Sequence, residues 1–278
     1  MTYLDEVDIT TAEFGELYDE LPLWSAPFGL MMLERIPMKP GMTVVDVGAG
    51  TGFLTVELAQ RCGPDTTIVA VDPSRPLMAR LHRKLDYLGI RNARLVTSDA
   101  SELDLPEGTV DLVVSNLGVN NFSNADAVLR TCFRVTRPGG TIALTSNLVG
   151  HMHEFYEAYR ETLTELGQND AIPALETHVA HRATLESVRE MLGRAGHEEI
   201  SVATDSFQMR FADGSSMLRH HFIRLGFLPS WASIISRDAI ERTFDALAKK
   251  LDAIASKNGE LSLTIPMAYF EAHKPMAP

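Results

Sequence analysis

The chain has 278 residues, of which 45% are hydrophobic and 22% charged. That excludes a disordered polypeptide and leaves room for one large domain or for a core with an attached cap. The formal net charge of −12 repels a phosphate backbone unless a basic stripe offsets it; none is visible, so no nucleic-acid partner is expected.

Met1 to Asp8 is acidic and lacks an apolar signal core. No apolar run approaches the ~20 residues of a membrane-spanning helix. Cys62 and Cys132 lie far apart in apolar helical patterns and give no disulfide framework. The expectation is a cytoplasmic protein without stable membrane insertion; the sequence does not speak to its oligomeric state. Met1 to Pro40 reads as a helical N-terminal segment, with Ser25 as a cap before Leu30, Met31 and Leu33.

From Gly41 to Asn147 short apolar runs alternate with helical patterns, as in β/α units that feed a parallel sheet. Strands are predicted at 43–47, 67–72, 94–98, 110–115 and 141–145. The first helix carries Phe53, Leu54, Leu58, Ala59 and Cys62 on one face and stops at Gly63-Pro64. The second is capped by Ser74, repeats Leu77, Leu81, Leu85 and Leu88, and ends at Gly89. It holds the densest basic stretch, Arg75 to Arg94, which reads as the solvated face of an amphipathic helix. A third helix, through Val128, Leu129, Cys132 and Phe133, ends at Arg137-Pro138-Gly139-Gly140.

Beyond Gly150 helices are predicted over 154–166, 184–195, 216–225 and around Ile240 to Ile254. A strand-like run spans 199–211. A last strand, Leu261 to Ala272, contains Pro266, where a bulge or an unpaired stretch is expected.

The informative stretch is Asp46-Val47-Gly48-Ala49-Gly50-Thr51-Gly52: a buried strand, a glycine-rich turn, then a helix. In an open parallel sheet ligands sit beyond the carboxyl ends of the strands. Glycine lets backbone approach a ligand closely, and the helix start offers N–H groups to a negative group. Asp72, followed by Pro73, ends the second strand about 20 residues on, the spacing of a carboxylate that grips ribose hydroxyls. Ser98-Asp99-Ala100 and Ser115-Asn116-Leu117-Gly118 end the third and fourth strands on the same rim.

This set resembles the class I S-adenosylmethionine-dependent methyltransferases, most of all their ubiquinone/menaquinone-biosynthesis-like branch. Gly48-Ala49-Gly50-Thr51-Gly52 resembles their first motif. Asp72 is similar to their ribose-binding acid, and Asp99 to the residue that meets the adenine amino group. Asp111 to Asn116 resembles their fourth motif, and Arg137-Pro138-Gly139-Gly140-Thr141 the turn before their fifth strand. Tyr18 resembles a tyrosine folded over the cofactor, and Met267 to Pro275 their closing strand. The resemblance covers roughly Pro40 to Asn147 and is poor from Gly150 to Asn258.

The resemblance implies S-adenosyl-L-methionine as cofactor, held by Tyr18, Asp46, Gly48, Ala49, Gly50, Gly52, Asp72, Pro73, Ser98, Asp99, Ala100 and Asn116. It implies in-line transfer of a methyl group to a small-molecule acceptor. The implied fold is Rossmann-like α/β: a seven-stranded, mostly parallel sheet with helices on both faces and a helical cap over the ligand rim. Residues 1–40 would form the N-terminal cap segment, 41–150 the cofactor-binding core, and 151–278 the acceptor cover plus the last strands. Phe155, Tyr156, Met217, Phe222, Phe227, Leu228 and Trp231 would line an apolar acceptor pocket.

Such a transfer needs alignment and exclusion of water, and a base only where the acceptor must lose a proton. His151 is the leading candidate base, since histidine titrates near neutrality. His220 and His221 sit in one predicted helix and point about 100° apart. His151-Met152-His153 lacks partners at metal-site spacing, so no metal is expected. Two other readings compete. A nicotinamide-dependent oxidoreductase needs its third glycine where Phe53 stands. A non-catalytic module could hold the same cofactor without turnover.

Overall fold

The computed structural model describes residues 3, 8–19 and 24–276. Most of the acidic stretch Met1 to Asp8 and residues 20–23 of the N-terminal segment lie outside the described residues.

A seven-stranded sheet organises the chain. Its strands are β1 (Thr43–Val47), β2 (Thr67–Val71), β3 (Ala93–Val96), β4 (Val110–Asn116), β5 (Thr136–Asn147), β6 (Glu198–Phe211) and β7 (Leu261–His273), in the order β3-β2-β1-β4-β5-β7-β6. β1 pairs in parallel with β2 and β4, β2 with β3, and β4 with β5. β7 runs antiparallel to β5, from Thr141↔His273 to Asn147↔Met267. Val44, Val45, Ile68, Val113 and Ile142 are almost wholly buried, which is why the central strands read as unbroken apolar runs.

Two compact units form. The larger contains Asp8–Asn147, Ala183–Asp205 and Met267–Pro278. Its helices are α1 (Ala12–Asp19), α2 (Ala26–Leu33), α3 (Phe53–Arg61), α4 (Arg75–Leu88) and α5 (Ala125–Val135), and later in the chain α8 (Leu185–Arg194). α4 buries Met78, Leu81 and Leu85 against Ala49 and Ala70, each side chain contributing about 1.5–3 kcal/mol of apolar burial. The smaller unit contains Leu148–Arg182 and Ser206–Pro266. Its helices are α6 (His153–Glu165), α7 (Ile172–Ala180), α9 (Gly214–Arg219), α10 (His221–Gly226), α11 (Leu228–Ala232) and α12 (Ile240–Asn258). Phe155, Tyr159, Trp231 and Phe244 fill its interior. Tyr3 joins it: its hydroxyl donates to Asp245 Oδ1 at 2.8 Å and its ring packs on Phe244. Residues 8–40 and 183–205 therefore go with the larger unit, a division different from the sequence-based one at 40 and 150.

Local differences from the sequence reading have identifiable causes. The helix predicted over 216–225 is two helices, α9 and α10, because His220 between them is extended at ψ 128°. His220 and His221 therefore do not share one helix. α5 stops at Val135 and β5 starts at Thr136, so Arg137 to Gly140 is strand. β7 continues through Pro266, but its register with β5 ends at Met267, and the Pro266 carbonyl accepts from Leu148 N–H at 3.2 Å. Ser25 and Ser74 occupy the helix-start positions without side-chain capping bonds.

Candidate active site

The glycine turn is built around the end of β2. The N–H groups of Gly48 and Ala49 both donate to the Val71 carbonyl, at 2.8 and 3.1 Å. Gly48, Gly50 and Gly52 all have positive φ, which explains why side chains are excluded there. The three are not equivalent. A Cβ on Gly52 would lie 2.1 Å from Leu81 Cδ1, and one on Gly48 would lie 3.4 Å from the Gly118 Cα. A Cβ on Gly50 would meet nothing within 4 Å. Gly52 is thus set by packing, and Gly50 faces open space.

A cavity opens at this turn. Of the residues that the sequence assigns to the cofactor, Tyr18, Asp46, Gly48, Ala49, Gly50 and Asn116 line it. So do Ser25, Thr51, Phe53 and Leu54, which the sequence reading does not single out as site residues. Phe53 and Leu54 follow the turn directly. Their place could have been read from that adjacency; nothing in the sequence signals that Ser25 joins them.

Asp72 is 9% exposed and braces the turn: its Oδ2 accepts from Gly50 N–H at 3.0 Å and its Oδ1 from Ser74 N–H at 2.8 Å. Burial raises its pKa, and these two N–H groups pull it back down. Asp46 is 2% exposed and accepts from Thr55 Oγ1 at 2.6 Å. Burial pushes its pKa up to about 6, with Thr55 opposing and Asp72 adding. Tyr18, at the end of α1, keeps 40% of its surface exposed, while burial of its hydroxyl and the Asp72 charge raise its pKa.

Asn116 ends β4. Its Oδ1 accepts from Thr145 Oγ1 at 2.6 Å and its Nδ2 donates to the Ser25 carbonyl at 3.0 Å. The next residue, Leu117, has φ +64°, an uncommon conformation for leucine. Gly118 is required beside it, because a Cβ there would meet Ser115 Oγ at 2.3 Å.

The remaining predicted residues stand outside this cavity. Gly52 packs on Leu81, and Pro73 is exposed. Asp99 caps a short 3-10 turn at Ala100–Glu102, accepting from Ser101 N–H and Oγ at 2.8 and 2.7 Å, and those bonds lower its pKa. Ser98 Oγ is buried and has no hydrogen-bond partner among the described residues.

These residues fit S-adenosylmethionine. The open space at Gly50 admits backbone approach, the orphaned Ser98 hydroxyl has bonding capacity left, and two buried carboxylates suit a cofactor with a positive sulfur and an ammonium group. Phe53 fills the position where a dinucleotide fingerprint needs glycine. It is also locked there, since a Cβ on Gly29 of α2 would come within 2.1 Å of the Phe53 ring.

His151 belongs to the smaller unit. It is 2% exposed, and burial first, then Arg182 and His178, push its pKa down to about 3. At neutral pH such an imidazole is uncharged and a weak proton acceptor, so the structure gives the general-base reading of His151 no support. Among the described residues no three His, Cys, Asp or Glu groups could share a metal ion, and no helix is long and apolar enough to cross a membrane.

The comparisons with known proteins agree with this geometry. Residues 44–140 match the model of a family described as methyltransferase domain. The ubiquinone/menaquinone biosynthesis C-methyltransferase UbiE of Idiomarina loihiensis is 28% identical over 175 residues, covering 59% of this chain and 69% of that protein. The demethylmenaquinone methyltransferase of Geobacillus stearothermophilus is 28% identical over 167 residues, covering 59% and 70%. Phosphoethanolamine N-methyltransferase 2 of Haemonchus contortus, solved with S-adenosyl-L-methionine, has a similar fold: TM-score 0.58 at 19% identity, over 98% of this chain and 61% of that one. Glycine turn, braced carboxylates and family match converge: residues 44–140 form a methyltransferase domain, and the chain is similar to the ubiquinone/menaquinone-biosynthesis C-methyltransferases.

Proposed function

We propose that this methyltransferase acts on a small-molecule acceptor in the cytoplasm, and that its helical unit binds that acceptor. The observation that carries the reading is the open face of Gly50, whose N–H is held by the buried Asp72, in a cavity that Asp46 and Tyr18 also line. When bound, S-adenosylmethionine supplies a methyl group already activated by positive sulfur. The chain's own residues bind and orient: Asp72 with the ribose hydroxyls, Asp99 and Ser98 with the adenine end, and Tyr18 over the cofactor. Net charge −12 favours a small acceptor over a nucleic acid. The aromatic interior of the helical unit, with Phe155 stacked on Trp231 at 3.9 Å, is suited to an apolar one.

The test is calorimetric titration with S-adenosylmethionine and with NADH, followed by measurement of S-adenosylhomocysteine formation over a panel of phenols, quinols, amines and carboxylic acids. Binding of the first ligand alone and turnover with at least one acceptor are expected. No binding of S-adenosylmethionine at millimolar concentration would overturn the reading. Binding without turnover on any acceptor would favour a non-catalytic module.

A further inference from the structure

The helical unit contains a cluster of basic and hydroxyl groups for which the cofactor site has no use. Trp231 Nε1 donates to Tyr156 Oη at 3.1 Å, and Tyr156 Oη lies 3.2 Å from His178 Nε2. Since the tyrosine oxygen accepts from both the indole and the Arg182 guanidinium, its own proton is directed to His178, which assigns that ring the tautomer protonated on Nδ1. His178 lies in the last turn of α7, and Arg182 follows it by four residues, its guanidinium beside Tyr156. His151 completes the group, its ring 6.0 Å from Tyr156 and 5.5 Å from Phe227.

Arg182 is the unusual member. Its Nε is buried and has no hydrogen-bond partner among the described residues. The charges acting on His151 and His178 come from Arg182 and from histidines, and no carboxylate is among them. In a chain with 37 acidic residues against 25 basic ones, a half-buried guanidinium with no carboxylate partner among the described residues is a marked omission. A buried donor left unpaired is costly, and guanidinium is the side chain best shaped to hold an oxyanion. The surroundings are apolar: Trp231, Phe227 and Phe155 are stacked together beside the polar cluster. The bland alternative is that Arg182 only complements the carboxyl end of α7.

We propose that Arg182 and His178, the latter oriented by Tyr156, bind one anionic oxygen group, a carboxylate or an ionised hydroxyl, of an otherwise apolar small molecule. Resting on the reading of the helical unit as acceptor-binding, that molecule is the methyl acceptor.

The experiment is calorimetry on the full chain at pH 7.5 with three probes: 2-naphthoate, an electron-poor naphthol ionised at that pH, and neutral 2-naphthalenemethanol. S-adenosylhomocysteine affinity and melting temperature are measured on the same samples. At least one anionic probe is expected to bind about tenfold or more tightly than the alcohol, a difference of about 1.4 kcal/mol. Which anion wins distinguishes a carboxylate from an ionised hydroxyl. Arg182→Gln should abolish that preference and leave S-adenosylhomocysteine affinity unchanged, while Arg182→Lys should retain part of it. Tyr156→Phe and His178→Gln provide independent readings should the arginine variant fold poorly. Equal binding of all three probes by the wild-type chain would overturn the site. So would an unchanged preference in Arg182→Gln, and a lowered melting temperature with that preference intact would show the helix-end role instead. Loss of S-adenosylhomocysteine binding in the wild-type chain would defeat the methyltransferase reading alone.

Discussion

The ammonium of Lys84 donates to the backbone carbonyl of Thr51 at 2.8 Å, and so reaches from α4 into the glycine turn. The same ammonium pairs with Asp19, which also pairs with Arg80 at 2.7 Å, while Glu16 engages Arg80 and Arg83. Asp19 is the neighbour of Tyr18, so this network ties the end of α1 to the glycine turn. Lys84→Met and Asp19→Asn are expected to weaken S-adenosylhomocysteine binding roughly three- to tenfold each, with the double variant little worse than either single one. High salt should shrink the effect. Calorimetry at two ionic strengths checks this, and strictly additive losses would contradict a shared network.

Gly50 and Gly52 should separate binding from stability. Gly52→Ala adds a methyl at a φ of 90° and drives it into Leu81, so its cost is expected in urea unfolding, at about 2 kcal/mol or more. Gly50→Ala has space for the methyl, and its left-handed backbone costs only about 1–2 kcal/mol. The larger loss for Gly50→Ala should appear as cofactor affinity. Paired denaturation and titration curves decide whether the two glycines divide the work this way.

Asp46 links stability to pH. Its carboxyl is raised from 3.8 to about 6 in the folded protein. Between those values the native state retains a proton that the unfolded chain releases. Its contribution is therefore most favourable below pH 4, declines as pH rises to about 6, and is flat above, a total of about 3 kcal/mol. Asp46→Asn removes this dependence. The stability difference between variant and wild type, followed by urea unfolding from pH 4 to 8, should shift in the variant's favour across that window. A constant difference would contradict the raised pKa.

Asp72→Ala and Asp99→Ala should each lower cofactor affinity by about 1.5–3 kcal/mol through loss of charge-assisted hydrogen bonds. They should differ in stability. Asp72 is buried and holds Gly50 N–H, so its removal also lowers the melting temperature. Asp99 is more exposed and caps only a three-residue turn, so the fold should tolerate its loss. Calorimetry with thermal unfolding of both variants is the check.

The core was legible because its signals are local. Val44 to Val47 alternate with nothing polar but Asp46, and Gly48, Gly50 and Gly52 mark the turn that only positive φ permits. The same holds for α4, whose leucines repeat at helical spacing. What the sequence concealed depends on distant partners. Ser25 lines the cavity because its carbonyl meets Asn116, ninety-one positions away. His220 breaks a helix that its own periodicity continues. The environment of His151 could not be read either, since its depressed pKa comes from burial and from Arg182, and neither leaves a mark in neighbouring letters.

Asn116 holds Thr145 with one end of its amide and Ser25 with the other. The Asn116 corner of the pocket is therefore held from both sides only after β5 has joined the sheet. A nascent chain released through β4 alone would carry every glycine of the turn, and Asn116 and Ser25 with them, yet lack the Thr145 hydroxyl that holds the other end of that amide. Fixing of that corner becomes a late event of biogenesis, and retention by an immobilised nucleoside should be stronger for finished molecules than for partly assembled ones.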